Sequence, residues 1–225
     1  MPETALFAPV RAQTLKENIL EMLTGAILSG KIRPGERLNE SELARQLQVS
    51  RAPIREALQQ LSEQGLVMNH PRRGMFVVSL EKEDLQKINS LRIVLEAEAL
   101  RLTRSRLTPQ IEKKLTQIVE RMEGLNGAPA LQLTRLDLEF HRTIWSQTGN
   151  EYLEKSLTSV TAPLFAYAVL IKTESEKMRM IQNSHRPLLE FVRGRRKGSA
   201  EDVMLDHLKL GWDRPEVFWS RTESR

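Results

Sequence analysis

Apolar residues recur at helical spacing through most of this chain, with one interruption. Between residues 14 and 29 they fall at Leu15, Ile19, Met22, Leu23, Ala26 and Ile27, a stripe on one helix face that Gly30 stops. Pro34-Gly35 then make a turn. Asn39, with Glu42 three residues on, reads as a capped helix start, and Leu43, Ala44 and Leu47 give that short helix its buried face. Ser50 is placed to cap a third helix over 51–64. That helix tolerates Pro53 in its first turn, turns Ile54, Ala57, Leu58 and Leu61 inward, and ends at Gly65. Here the period changes. Two short extended runs, 66–69 and 75–78, are joined by His70-Pro71-Arg72-Arg73-Gly74, which predicts a β-hairpin with a basic tip.

From Glu81 onward the pattern is helical throughout. Six helices are expected, roughly 81–105, 109–123, 129–148, 151–172, 174–193 and 199–220, with breaks at Thr108-Pro109, 124–129, Gly149-Asn150 and 193–198. The fold class is therefore mainly α: a winged helix-turn-helix over 1–80, then an all-helical bundle over 81–225. Neither internal repeats nor low-complexity stretches interrupt it.

Composition narrows the function. The 225 residues are 40% hydrophobic, enough for two small cores, and include no cysteine, which removes disulfides and thiolate metal sites. The longest nearly apolar run, 160–171, contains Pro163 and falls short of the ~20 residues a membrane span needs. The first residues have no signal-peptide core. A cytoplasmic protein without a membrane partner is expected. The net charge of +5 permits nucleic-acid binding but does not establish it, since residues 1–80 hold ten Lys and Arg against eight Asp and Glu. Placement matters more. A helix opening at Ser50 offers free backbone N–H groups to a phosphate. Arg51 and Arg55, one turn apart, flank the buried stripe, and arginine there can fork onto guanine in the major groove. Arg72, Arg73 and the flexible Gly74 at the hairpin tip can follow the neighbouring groove or backbone. His70 is expected to serve structure.

The segment LNESELARQLQVSRAPIREALQQLSEQGLV, followed by RRGMFVV, resembles the DNA-binding domain of the GntR family, and VSRAPIREAL is its most diagnostic part. That resemblance implies operator contact by Ser50, Arg51, Arg55 and Gly74. Gln48 departs from the pattern, which usually has glycine in that tight turn. A positive φ at Gln48 costs about 1 kcal/mol and leaves the fold intact.

In the second half, polar residues interrupt apolar stripes. Arg92 completes the rhythm of Leu85, Ile88, Leu95, Ala99 and Leu102. Asp137 and His141 share a face with Leu133, Leu136, Phe140 and Ile144. His185 fills a gap among Met178, Ile181, Leu188 and Val192, and His207 lies between Val203 and Leu210. Three of the four histidines thus face one helical core. Burying them beside a carboxylate is costly unless something pairs with them. A divalent metal would do so: Asp137 and His141 are i and i+4, and His185 and His207 would complete the shell, in a set suited to Zn, Ni, Fe or Mn. Arg92 would attract a carboxylate ligand. At this level two plainer readings stand beside these: a hydrogen-bonded core network, and an Arg92 that only pairs with Glu96 one turn on.

The run of LR-x-x-LE, D-x-x-FH, Gly149-Asn150, His185 and His207 resembles the FCD effector domain of the FadR subfamily over about 81–215, and six helices point to its VanR-like branch. The resemblance implies a metal held by Asp137, His141, His185 and His207, a small organic acid beside it, and a homodimer on a palindromic double-stranded DNA operator. A repressor is expected rather than an enzyme. The rivals are a metal-dependent hydrolase or oxygenase carrying a DNA-binding domain, disfavoured because no base is placed to activate bound water, and a pure metal sensor. The basic run 193–198 is expected to be a solvated turn, and Trp145, Trp212, Trp219 and the helix around 164–171 to be core or dimer contacts.

Overall fold

The amphipathic stripe of the first helix, α1 (Leu15–Leu28), buries Ile19, Leu23 and Ile27 in the N-terminal core, chiefly against the helix over 51–63. α2 (Glu40–Leu47) opens at Asn39, whose Oδ1 accepts from the Ser41 and Glu42 N–H groups. The reciprocal half of the expected capping box is missing, because the Glu42 carboxylate is held by Arg45 and Gln46. Gln48 closes α2 with φ 54 and ψ 41, the left-handed conformation expected of that tight turn. α3 (Arg51–Glu63) buries Ile54, Ala57, Leu58 and Leu61. Ser50 occupies its N-cap position with extended dihedrals, yet its side chain makes no capping bond.

The hairpin pairs β2 (Val67–His70) with β3 (Gly74–Val77), and a third strand completes the sheet. β1 (Arg37–Leu38) lies antiparallel on the far side of β3, with Arg37 opposite Phe76 and Leu38 opposite Met75. A two-residue strand has no period to read, which is why the sequence pattern missed it. At the tip Arg72 takes a positive φ of 65, and His70 packs edge-on against Phe76 with ring centroids 5.1 Å apart.

The computed structural model describes residues 15–125, 130–170 and 181–210. Its second half contains α4 (Lys82–Ser105), α5 (Pro109–Glu123), α6 (Ala130–Ser146), α7 (Glu151–Leu170), α8 (Arg186–Val192) and α9 (Ala200–Leu210). α4 starts with a capping box between Glu81 and Asp84, and α5 with a Thr108 cap and Pro109 in its first turn. One helix expected over 174–193 is interrupted: residues 181–183 are helical, Ser184 and His185 bend, and α8 starts afresh. Pro187 explains the break. It lacks the N–H a continuous helix needs, and its ring would meet the carbonyl four residues back. The ends of the helices expected over 151–172 and 199–220, and with them Trp212 and Trp219, lie outside the described residues.

Two hydrophobic cores result. One gathers α1, α3 and the sheet, the other α4 to α9 around Phe140, Trp145, Leu157 and Leu188. They are not independent, because Leu164 and Ala166 of α7 belong to the first core. α7 is thus shared between the halves. Among the described residues no helix is long and apolar enough to cross a membrane.

Candidate functional site

Two groups of candidate residues lie in different halves of the molecule. Ser50 and Arg51 open α3, with Arg55 one turn on, and all three are exposed. Since Ser50 makes no cap bond, it does not engage the first-turn N–H groups of α3. Arg51 has no ion-pair partner among the described residues. Arg55 has one: its Nε lies 3.3 Å from Oε2 of Glu40 on α2. Arg72 and Arg73 are exposed at the hairpin tip, beside Gly74 with its φ of 97, and the Arg73 guanidinium lies over the Phe76 ring, 5.6 Å from its centroid.

The second group converges inside the helical half. The 3.6-residue period of α6 brings Asp137 and His141 to one face, the bend before α8 turns His185 inward, and α9 brings His207 from the opposite side. His141, His185 and His207 are all buried, and their ligand-type nitrogens lie within 4.8 Å of one another. Asp137 lies against two of the three, its Oδ1 2.9 Å from His185 Nε2 and 3.3 Å from His141 Nε2, but the mutually close group consists of the three histidines.

The outer nitrogens share one arrangement. His141 Nδ1 lies 2.5 Å from Glu96 Oε2, His185 Nδ1 3.1 Å from the Ile181 carbonyl, and His207 Nδ1 3.3 Å from the Ser184 carbonyl. Each outer nitrogen meets an oxygen acceptor that can keep a hydrogen there, so a metal would find the Nε2 side of each ring facing the interior; without one, Asp137 accepts from the Nε2 side of His185. His141 Nε2 is buried without a well-formed hydrogen bond. The three imidazoles, once they give up a proton to a metal, form a donor set that fits a divalent transition metal, with the Asp137 carboxylate against two of them.

Electrostatics are strong here. Burial disfavours charge on His141, but Glu96 and Asp137 outweigh it and raise its pKa to about 9. Burial also works against the Asp137 anion, yet His185 and His141 hold its carboxyl well below the usual range. His207 moves the other way: burial, then the positive charge of His185, His141 and Arg92, push it well below an ordinary imidazole.

Beside the cluster lies a cavity of about 80 Å³, bordered by Arg92, Asp137 and His207 and walled by Leu164, Phe165 and Leu208. That is several times the ~10–15 Å³ one water requires. Arg92 is buried and pairs with Glu96, Nε to Oε1 at 2.6 Å, so the plainer reading of Arg92 describes one of its contacts; it also borders the cavity. Sequence reasoning missed that Glu96 touches His141 as well. The available signal was its place one turn beyond Arg92, between Ile93 and Ala97 on the buried face.

The basic run 193–198 divides. Arg193 is largely buried, bonding Glu112, Glu190 and Thr116, and Arg196 pairs with Asp206. This run ties α8 to α5 and α9.

The sequence matches the description "Bacterial regulatory proteins, gntR family" over residues 15–77 and "FCD domain" over residues 87–210. It is 31% identical over 186 residues to the uncharacterized HTH-type transcriptional regulator YdhC of Bacillus subtilis, covering 80% of this chain and 82% of that protein. It is 32% identical over 186 residues to the Nta operon transcriptional regulator of Aminobacter aminovorans, covering 83% of this chain and 87% of the relative. Among solved structures, E. coli McbR/YncC shares the fold with a TM-score of 0.59 at 23% identity, over 88% of this chain and 95% of that one.

Proposed function

Because the chain belongs to the GntR family of DNA-binding transcription regulators and carries an FCD effector domain, we propose that it is a homodimeric repressor released from its operator by a small carboxylate bound beside a metal. The observation that carries this reading is the triple arrangement of His141, His185 and His207, each fixed from behind and turned toward the others, next to a cavity bordered by Arg92. In this reading Asp137 joins the three imidazoles in holding Zn, Ni, Fe or Mn. The bound ion supplies Lewis acidity toward an oxygen ligand. Arg92 supplies the cation for the carboxylate, and Leu164, Phe165 and Leu208 exclude water from its apolar part. A pure metal sensor would have no use for a cavity bordered by a buried arginine.

The DNA-binding domain is taken as residues 1–80 and the effector and dimerisation domain as 81–225. Ser50, Arg51 and Arg55 would meet the major groove, and Arg72, Arg73 and Gly74 the flanking backbone of a palindromic site in the cytoplasm. Repression is the simpler sign, since it needs only occupancy of promoter DNA. α7 gives the effector a route to the DNA-binding domain: Leu164 walls the cavity and packs in the N-terminal core. The test is operator binding by fluorescence anisotropy with the metal-loaded and chelator-treated protein, against a panel of small carboxylic acids. Release by one acid only when metal is present supports the reading. Operator affinity indifferent to metal and to every acid defeats it.

A further inference from the structure

Resting on the metal and carboxylate reading above, we propose that Glu96 is a positioning residue that couples the two ligands, fixing His141 for the metal and Arg92 for the effector with one carboxylate. Its side chain is 3% exposed, and its two oxygens are divided: Oε1 lies 2.6 Å from Arg92 Nε, Oε2 2.5 Å from His141 Nδ1. Neither contact can turn without disturbing the other, because both arise from one rigid group on α4.

For His141, the carboxylate holds the hydrogen on Nδ1 and aims the Nε2 lone pair at the cluster. It also makes the imidazole a stronger donor, as carboxylates behind metal-bound histidines do. For Arg92, Glu96 occupies Nε while Nη1 approaches Asn89 Oδ1 at 3.5 Å, and the guanidinium stands 5.9 Å from the Phe165 ring centroid at the cavity wall. Arg92 also lines the cavity. Glu96 lies behind the ring of His141, on the side away from the other two imidazoles, so its influence on a metal passes through His141.

Coupling follows from sharing. A carboxylate arriving at Arg92 draws part of the guanidinium's charge from Glu96. The Glu96 charge then acts more fully on His141, which binds the metal more tightly. Reciprocity requires that metal raise affinity for the carboxylate by the same factor.

Co(II) alone, titrated into the full chain and followed by its d–d absorption, reads both affinity and ligand field. Glu96→Gln should bind Co(II) about 10–100-fold more weakly with altered bands, while Glu98→Gln on the exposed side of α4 matches the wild type. Acetate at 0.1 M, against chloride at equal ionic strength, should tighten Co(II) binding several-fold in the wild type and leave Glu96→Gln unchanged. If the buried Arg92 prevents Glu96→Gln from folding, Glu96→Gln with Arg92→Gln removes both charges together and should keep the Co(II) loss. Wild-type protein that takes up no Co(II) overturns the metal reading itself. Co(II) uptake with equal affinity and bands in Glu96→Gln, or no response to acetate in the wild type, leaves that reading standing and overturns the coupling.

Discussion

Gly65 and Pro163 meet backbone to backbone: a β-carbon on Gly65 would stand 2.6 Å from the Pro163 nitrogen and 2.3 Å from the Ala162 carbonyl carbon. Gly65 has a φ of 76, so an L side chain there is strained even before it collides. The contact joins the end of the DNA-binding half to α7, the helix whose next residues, Leu164 and Phe165, wall the cavity. Gly65→Ala must push these pieces apart. It should lower stability by about 1–3 kcal/mol, visible as a lower melting temperature. Metal content should stay intact while the operator response to effector weakens. An unchanged melting curve would show that the junction yields freely.

Arg51 and Arg55 differ in what they must give up to reach DNA. Arg51 has no ion-pair partner among the described residues, whereas Arg55 must leave Glu40, an exposed pair of the kind worth about 0–1 kcal/mol. Arg51→Ala should weaken specific operator binding by about 1–3 kcal/mol and relax preference at one base pair. Arg55→Ala should cost slightly less, and Glu40→Gln should tighten binding modestly by releasing Arg55. Anisotropy titrations on matched and mismatched operators decide this. Full affinity and specificity in both arginine variants would remove α3 from base reading.

Chelation should lower the melting temperature of protein purified without a tag, because an ion bound only to the folded state stabilises it by mass action, about 2.7 kcal/mol at a hundred times Kd. His185→Ala and His207→Ala should each lose metal and effector response yet retain operator binding, whose residues lie in the other half. Elemental analysis is the direct measure. Protein without transition metal that binds none on addition would make the cluster a hydrogen-bonded core network.

Arg193 offers a control for basic charge. It is held by Glu112, Glu190 and Thr116, so Arg193→Ala should destabilise the helical half by about 1–3 kcal/mol by removing a largely buried side chain that ties α8 to α5. Operator affinity of the folded variant should not move. A loss of DNA binding at unchanged stability would instead place the 193–198 run against the backbone.

Much of this architecture was readable from periodicity and punctuation, because both are local. The stripe of Ile54, Ala57, Leu58 and Leu61 defines α3, Gly65 ends it, and Thr108-Pro109 starts α5. A side chain's type and spacing suffice for these, since backbone conformation and one buried face depend on near neighbours. The inward faces of His141 and His207 followed from the same rule, whereas His185 is buried at a bend that breaks the helix expected there. Tertiary structure alone decided what those faces meet. No spacing announces that Glu96 stands behind His141, forty-five positions along, or that the Ser184 carbonyl receives His207. Nor could spacing show that α7 would serve both cores through Leu164. β1 needed β3 beside it to become a strand at all. Such contacts depend on how separate helices and strands cross, a quantity set by packing of the whole chain and carried by no short segment of it.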